Sequence, residues 1–414
     1  MTTTIAGRAP FLEAPGLRRL MMALKADGEE ARIAGGAVRD ALIGRPTGDV
    51  DIATTVLPSE TIARAEAAGL RAVPTGIDHG TITVIADGVP YEVTTLRSDI
   101  ETDGRHAKVA FGRDWQKDAE RRDFTINGLY AEGDGTVIDL VGGLADLDKR
   151  LLRFIGEPEQ RIREDYLRIL RFFRFFAWFG TGRPDAEGLK ACVRLKEGVT
   201  GLSAERIWTE MRKLLTAPDP SRALLWMRTT GVLTLVLPES EKWGIDAIHG
   251  LVSAEQARGW TADPLLRLAS IIPPNVERIE TLSKRLRLSK AETKRLEEWA
   301  AAAPAAEDET TQALARRIHA GSREGITNRL RLQIASQSAA GNDAAPLEAL
   351  LSHAEGWKSP PFPISGADLM ANGVPAGPEL GRLFKQLEAE WSASDFTYDR
   401  EALLARASSL IETR

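Results

Sequence analysis

Alternating apolar and polar positions are confined to the segment from about Ala31 to Phe154, and beyond it apolar residues recur at helical spacing. Residues 31–34 predict a strand leading into Gly35-Gly36, residues 38–43 a short helix stopped by Gly44, and residues 49–55 a second strand. Residues 80–86 and 89–96 predict two more strands, joined at Asp87-Gly88, a dipeptide suited to a tight hairpin. Residues 137–140 and 151–155 complete the predicted strands, on either side of the polar stretch 142–150. The expectation is an α+β protein: a small mixed sheet with helices on it, then helices alone.

In the helical part, Ile207, Met211, Leu214 and Leu215 share one helix face, as do Ala223, Leu224 and Met227. Residues 300–311, rich in Ala, Glu and Asp, predict a solvated connection or loose helix ends. Loop punctuation from Ser359 through Gly377 precedes a last pair of amphipathic helices, which reads as a compact terminal subdomain.

A chain of 414 residues with 43% hydrophobic content can bury a large core and favours two or more domains. Its net charge of −5 argues against a sequence-wide coating of nucleic acid, so any RNA site must be a patch. The single cysteine, Cys192, excludes an intramolecular disulfide and a cysteine-based zinc cluster, and reads as a small buried residue in a reducing compartment. The first residues lack the charged start and apolar run of a signal peptide, and no stretch is long and apolar enough for a membrane span. A cytoplasmic protein is expected; the oligomeric state stays open.

Candidate chemistry starts at Asp49 and Asp51. Two residues apart on a strand, they aim their carboxylates at one spot, a pair of hard ligands suited to Mg²⁺. Such a pair alone usually faces water. Upstream, however, Gly35-Gly36 lets the backbone approach a phosphate, and Arg39 follows onto the same triphosphate. Asp40 reads as a cap or brace rather than a ligand. Glu92 is either a third carboxylate for two-metal chemistry or one half of an ion pair that positions the sheet.

In the run from Glu120 to Asn127, Arg121 and Arg122 suit phosphate while Asp123 and Asn127 suit ribose hydroxyls, with a basic surface turn as the alternative. From Glu164 to Phe175 a single helix is predicted, with Asp165, Arg168, Arg171 and Arg174 every three residues along one slowly rotating face. Leu167, Leu170 and Phe173 then pack against protein. The stripe is either a solvated charged face or a device in which Asp supplies acceptors and Arg donors to a base edge.

Together these residues resemble the class II tRNA nucleotidyltransferases, or CCA-adding enzymes, with bacterial poly(A) polymerases as near relatives. Residues 35–40 with Gly48-Asp49-Val50-Asp51 are similar to the first motif of that family and residues 121–127 to its second. Asp139-Leu140 with Gly142-Gly143 resembles the hinge motif, and Glu164-Asp165-x-x-Arg168 the nucleotide-selecting motif. The segment from Leu96 to Phe111, including Gly104-Arg105, resembles the flexible loop of the CCA-adding branch, and residues 364–378 its C-terminal region.

The resemblance implies a nucleotidyltransferase head of the DNA polymerase beta type over residues 1–157, a helical neck over 158–220, and a helical body and tail over 221–414 that bind tRNA. It implies Asp49 and Asp51 as catalytic Mg²⁺ ligands, and Gly36, Arg39, Arg122, Arg171 and Arg174 as nucleotide contacts. Asp165 and Arg168 are implied as a protein template that pairs with the base. The implied activity adds CMP and AMP from CTP and ATP to the 3′ end of tRNA. An ATP-only poly(A) polymerase and a non-catalytic RNA- or nucleotide-binding module are the rivals. No histidine is followed by aspartate, so the phosphohydrolase activity of some relatives is not expected.

Overall fold

The computed structural model describes residues 3–103, 106–241 and 243–412. The chain forms two compact units, residues 1–238 and 239–414.

The first unit opens with α1 (Pro15–Leu24), β1 (Ala31–Ala34), α2 (Gly36–Leu42), β2 (Asp51–Thr54), α3 (Pro58–Ala67), β3 (Arg71–Gly76), β4 (Thr81–Ala86) and β5 (Val89–Thr95). After the antiparallel pair β6 (Arg97–Asp103) and β7 (His106–Phe111) come α4 (Trp115–Glu120), β8 (Leu129–Ala131), β9 (Val137–Asp139) and α5 (Gly143–Asp148). Gly104 and Arg105, in the segment read as a flexible loop, lie outside the described residues.

Seven strands make one sheet in the order β3-β4-β5-β2-β1-β8-β9. It is mixed: β2 runs parallel to β5, and its other neighbours pair antiparallel. In β4, Ile82, Val84 and Ala86 turn inward while the residues between them are half-buried, the alternation of a sheet with one face in the core. At the β4–β5 hairpin, Asp87 (φ 50°) and Gly88 (φ 81°) both adopt the positive φ that a two-residue turn demands.

The predicted strand at residues 151–155 does not form. Phe154 makes only an isolated bridge to Phe124, and the apolar residues there are buried by packing, with the Phe154 ring 4.8 Å from Phe124 and 5.5 Å from Phe172. Conversely, β3 escaped the pattern because Pro74 and Gly76 interrupt it; a proline is tolerated there because β3 is an edge strand.

Helices α6 (Pro158–Glu164), α7 (Leu167–Phe179), α8 (Ala186–Leu195), α9 (Ala204–Leu215), α10 (Ser221–Thr229) and α11 (Val232–Val236) complete the unit. Leu167, Leu170 and Phe173 of α7 are buried, as are Ile207, Met211, Leu214 and Leu215 of α9, and the two helices pack together. The single helix predicted from Glu164 to Phe175 is instead two. Asp165 (φ −156°, ψ 108°) breaks it, because its carboxylate accepts the Leu167 amide at 3.0 Å and so competes with helix continuation.

The second unit is helical throughout its described residues: α12 (Ala247–Arg258), α13 (Pro264–Ser270), α14 (Val276–Leu286), α15 (Lys290–Ala301), α16 (Thr311–Ala320), α17 (Arg323–Ala339), α18 (Ala345–Gly356), α19 (Gly366–Ala371), α20 (Pro378–Ala393) and α21 (Arg400–Glu412). The connection expected at residues 300–311 separates α15 from α16. Leu369, Leu383, Leu387, Trp391, Leu403 and Ala407 give the last three helices a core of their own. Among the described residues no helix is long and apolar enough to cross a membrane.

Candidate active site

Strand register assembles the first half of the site. Asp51 opens β2 opposite Ala34 on one side and Glu92 of β5 on the other, so the turn that follows Ala34 comes to lie beside the Asp51 carboxylate. Gly35 makes that turn at φ 63°, ψ −114°, backbone that only glycine adopts freely, and a Cβ there would lie 3.1 Å from Arg122 Nη1. Gly36 is under no such demand. Its φ is not positive, and the nearest atom to a Cβ would be Arg39 Nη2 at 3.7 Å. Its bare backbone leaves the floor of a cleft open.

Asp49 precedes β2 rather than belonging to it, a correction to the predicted strand start, and both aspartates are exposed. Asp51 is pushed up to about 6 by the protein crowding it and by the nearby Glu92, with Asp49 adding to the effect. Neither aspartate nor Glu92 forms a hydrogen bond or ion pair through its side chain among the described residues, so the ion pair considered for Glu92 is not made. Three mutually repelling carboxylates without protein partners suit a divalent cation. Among the described residues, though, no group of three or more acidic, histidine or cysteine side chains gathers as a metal cluster, so Glu92 does not complete one.

Arginines build the opposite wall, each held by an acid. Arg39, 7% exposed, bonds Asp40 at 3.0 Å and the Asn127 side chain, with its guanidinium 4.0 Å from the Phe179 ring. Asp40 is thus the brace it was read as. Arg122 donates to Tyr130 Oη and Asp118, both at 3.2 Å. Burial works against the charge of Asp118, but Arg122 and Arg121 outweigh it and hold the carboxyl below the usual range. Arg171 donates to Asp123 at 2.7 Å and Arg174 to Glu210 at 2.5 Å. Asp123 and Asn127, read as ribose contacts, are bonded to each other at 3.0 Å. Asp123 also braces Arg171 and Asn127 braces Arg39, and both line the cleft.

At the α6–α7 break, Asp165 Oδ2 accepts from Arg206 of α9 at 2.6 Å. Arg168 does not pair with Asp165; it donates to Glu164 and, at 2.6 Å, to the Arg161 carbonyl. Neighbouring Tyr166 is seated over Gly198, where a Cβ would lie 2.0 Å from the ring.

The glycine turn, Asp51, the arginine wall and the α6–α7 break meet in one cleft of about 550 Å³. Gly36, Arg39, Asp51, Arg122, Asp165, Arg168, Arg171 and Arg174 line it, whereas Asp49, Glu92 and Arg121, also picked from the sequence, stand outside the lining. Arg206, which the sequence reading missed, lines it too, and Glu210 anchors two of its arginines from α9, with Arg171 Nη1 4.0 Å away. Nothing local marks either residue. They look like ordinary charges on an amphipathic helix about 40 residues from their partners.

A mixed sheet carrying carboxylates beside a glycine turn, faced by an arginine-rich helical wall, defines a nucleotidyltransferase. Residues 31–153 match the family described as the poly A polymerase head domain, and residues 183–243 the one described as a probable RNA and SrmB-binding site of polymerase A. Mitochondrial CCA tRNA nucleotidyltransferase 1 of Mus musculus is 36% identical over 402 residues, 94% of this chain and 89% of that protein. The CCA-adding enzyme of Geobacillus thermodenitrificans is 40% identical over 240 residues, 57% of each chain. The CCA-adding enzyme of Bacillus stearothermophilus, solved with CTP, superposes with a TM-score of 0.78 at 28% identity, covering 97% of this chain and 99% of that one. The chain belongs to the family of the CCA-adding tRNA nucleotidyltransferases.

Proposed function

We propose that this enzyme adds CMP and AMP, taken from CTP and ATP, to the 3′ end of tRNA without a nucleic-acid template. The 3′-hydroxyl oxygen of the RNA attacks the α-phosphorus of the nucleotide, a phosphodiester forms, and the bond to pyrophosphate breaks. The observation that carries this reading is that partner-free Asp51 and the Asp165, Arg168 and Arg206 group line one cleft. Reaction and choice of nucleotide then share a single chamber.

Asp49 and Asp51 are assigned as the holders of Mg²⁺, which when bound supplies activation of the attacking hydroxyl and neutralisation of the leaving group. Gly36 lets the triphosphate approach the backbone, and Arg39, Arg122, Arg171 and Arg174 offer it the N–H donors that their acids leave free. Asp165 accepts from, and Arg168 donates to, the base edge. C and A each present an amino donor beside a ring-nitrogen acceptor, so this pair suits both. Phosphoryl transfer asks the protein for positioning and charge more than for covalent chemistry, which is what this set of residues provides.

We assign residues 1–157 to the catalytic head, 158–220 to a nucleotide-selecting neck and 221–414 to a tRNA-binding body and tail. The buried, unpaired Cys192 fits a reducing compartment such as the cytoplasm. The family description also covers poly(A) polymerases, and one assay separates the two activities. Given tRNA lacking its CCA end and each nucleotide alone or together, this enzyme is expected to require CTP before ATP is incorporated. Extension of varied RNAs by ATP alone would replace the reading with poly(A) synthesis.

A further inference from the structure

The helical unit 239–414 contains a second cleft, of about 790 Å³, between α12, α15 and α17. Small residues form part of its lining. On α12, Gly250 lies so close to α17 that a Cβ there would sit 3.0 Å from Ala339 Cβ and 3.3 Å from the Ala335 carbonyl oxygen. The remaining walls are largely apolar and include the indole of Trp243, which is 39% exposed, with Trp299, 2% exposed, packed behind them.

Arg329 is the single cation among the described lining residues and Asp246 the single acid, and the two are not paired with each other. Its guanidinium carbon lies 5.6 Å from the centre of the Trp299 ring, and its Nε is buried without a hydrogen-bond partner. Burial lowers its basicity, with no carboxylate to offset the loss. Arg267 in the same unit shows the usual arrangement: it is 2% exposed and clamped by Glu255 at 2.6 Å. Among the described residues Arg329 has no such acid. A half-buried guanidinium without a counter-charge, its Nε shielded and unpartnered, favours an anion from outside. The accessible indole of Trp243 in a largely apolar wall favours a flat ring on the same ligand.

We propose that this cleft takes one unpaired nucleotide of the RNA substrate, its base against Trp243 and its phosphate on the Arg329 guanidinium. The proposal rests on the enzyme's acting on RNA. A nucleotide joins a planar π-face to an adjacent phosphate, whereas an acidic peptide side chain brings a carboxylate without the ring. Stacking of this kind accepts any base, so the contact would anchor RNA without reading its sequence.

The test uses the full chain and tRNA lacking its CCA end. Arg329→Ala is expected to weaken the tRNA Kd about tenfold, the scale of one stacked and phosphate-paired nucleotide, with the KM for CTP unchanged. Arg329→Lys should recover part of the loss. Ser336→Trp, which blocks the lining from α17 and removes no charge, should weaken the Kd similarly. A tRNA Kd within twofold of the wild type for both Arg329→Ala and Ser336→Trp would overturn the proposal. So would free AMP that quenches tryptophan emission through Arg329 and displaces tRNA, since the occupant would then be a small nucleotide. Absence of all nucleotide incorporation would refute the polymerase reading, while the Kd series would still decide the cleft.

Discussion

Gly35 and Gly36 are neighbours with different reasons for lacking a side chain. Gly35 is held at a φ that strains any other residue, whereas Gly36 has ordinary backbone and no atom nearer a Cβ than Arg39 Nη2 at 3.7 Å. Gly35→Ala should therefore cost about 1–3 kcal/mol of stability in chemical denaturation. Gly36→Ala should leave stability nearly unchanged and raise the KM for CTP; a stability loss equal to that of Gly35→Ala would mean the two serve the fold alike. Asp51→Asn should abolish incorporation without lowering Tm, because removing this charge relieves its repulsion with Glu92 and Asp49. A large fall in Tm would assign Asp51 to the fold instead. At this scale the sequence was informative where chemistry is local: Gly36, Arg39 and Asp51 sit within one strand-helix-strand unit, β1-α2-β2. It was silent about Arg206 and Glu210, whose meaning depends on helices brought together from distant parts of the chain.

Element by element, the helix break at Asp165 matters most. Period-three charges concealed it, since the same spacing fits an unbroken helix, and only the carboxylate's bond to the Leu167 amide discloses why the chain turns. With the break in place, Arg206 reaches Asp165 from α9. Arg206→Ala should reduce discrimination among the four nucleotides more than it reduces turnover, as should Asp165→Ala, measured as ratios of kcat/KM. Equal loss for all four would make the pair merely structural. Glu210, 4% exposed, neutralises Arg174 and lies near Arg171. Glu210→Ala should cost about 3–5 kcal/mol in urea denaturation, because it leaves buried positive charge without its acid. The strand wrongly expected at residues 151–155 has the same lesson: apolar residues that look ready for a sheet can be satisfied by rings, here Phe124 and Phe172 around Phe154.

For the whole molecule, the fold class followed from where strand periodicity stops, and the mixed sheet with a helical remainder is what formed. The division after Pro238 was not legible, because helical periodicity is the same on both sides of it. Since the first unit carries the cleft and its own core, a fragment of residues 1–238 should unfold cooperatively and bind CTP while losing affinity for tRNA. Fluorescence-monitored melting and a CTP titration would check this, and a fragment without a cooperative transition would contradict it.

The tethering of every arginine in the cleft to its own acid also bears on how fast the enzyme can run. A chamber of unbalanced guanidinium groups would grip pyrophosphate after each addition and stall in product inhibition. Counterweighted donors hold a triphosphate by direction more than by surplus charge. The spent group can then depart and the next nucleotide take its place between successive additions.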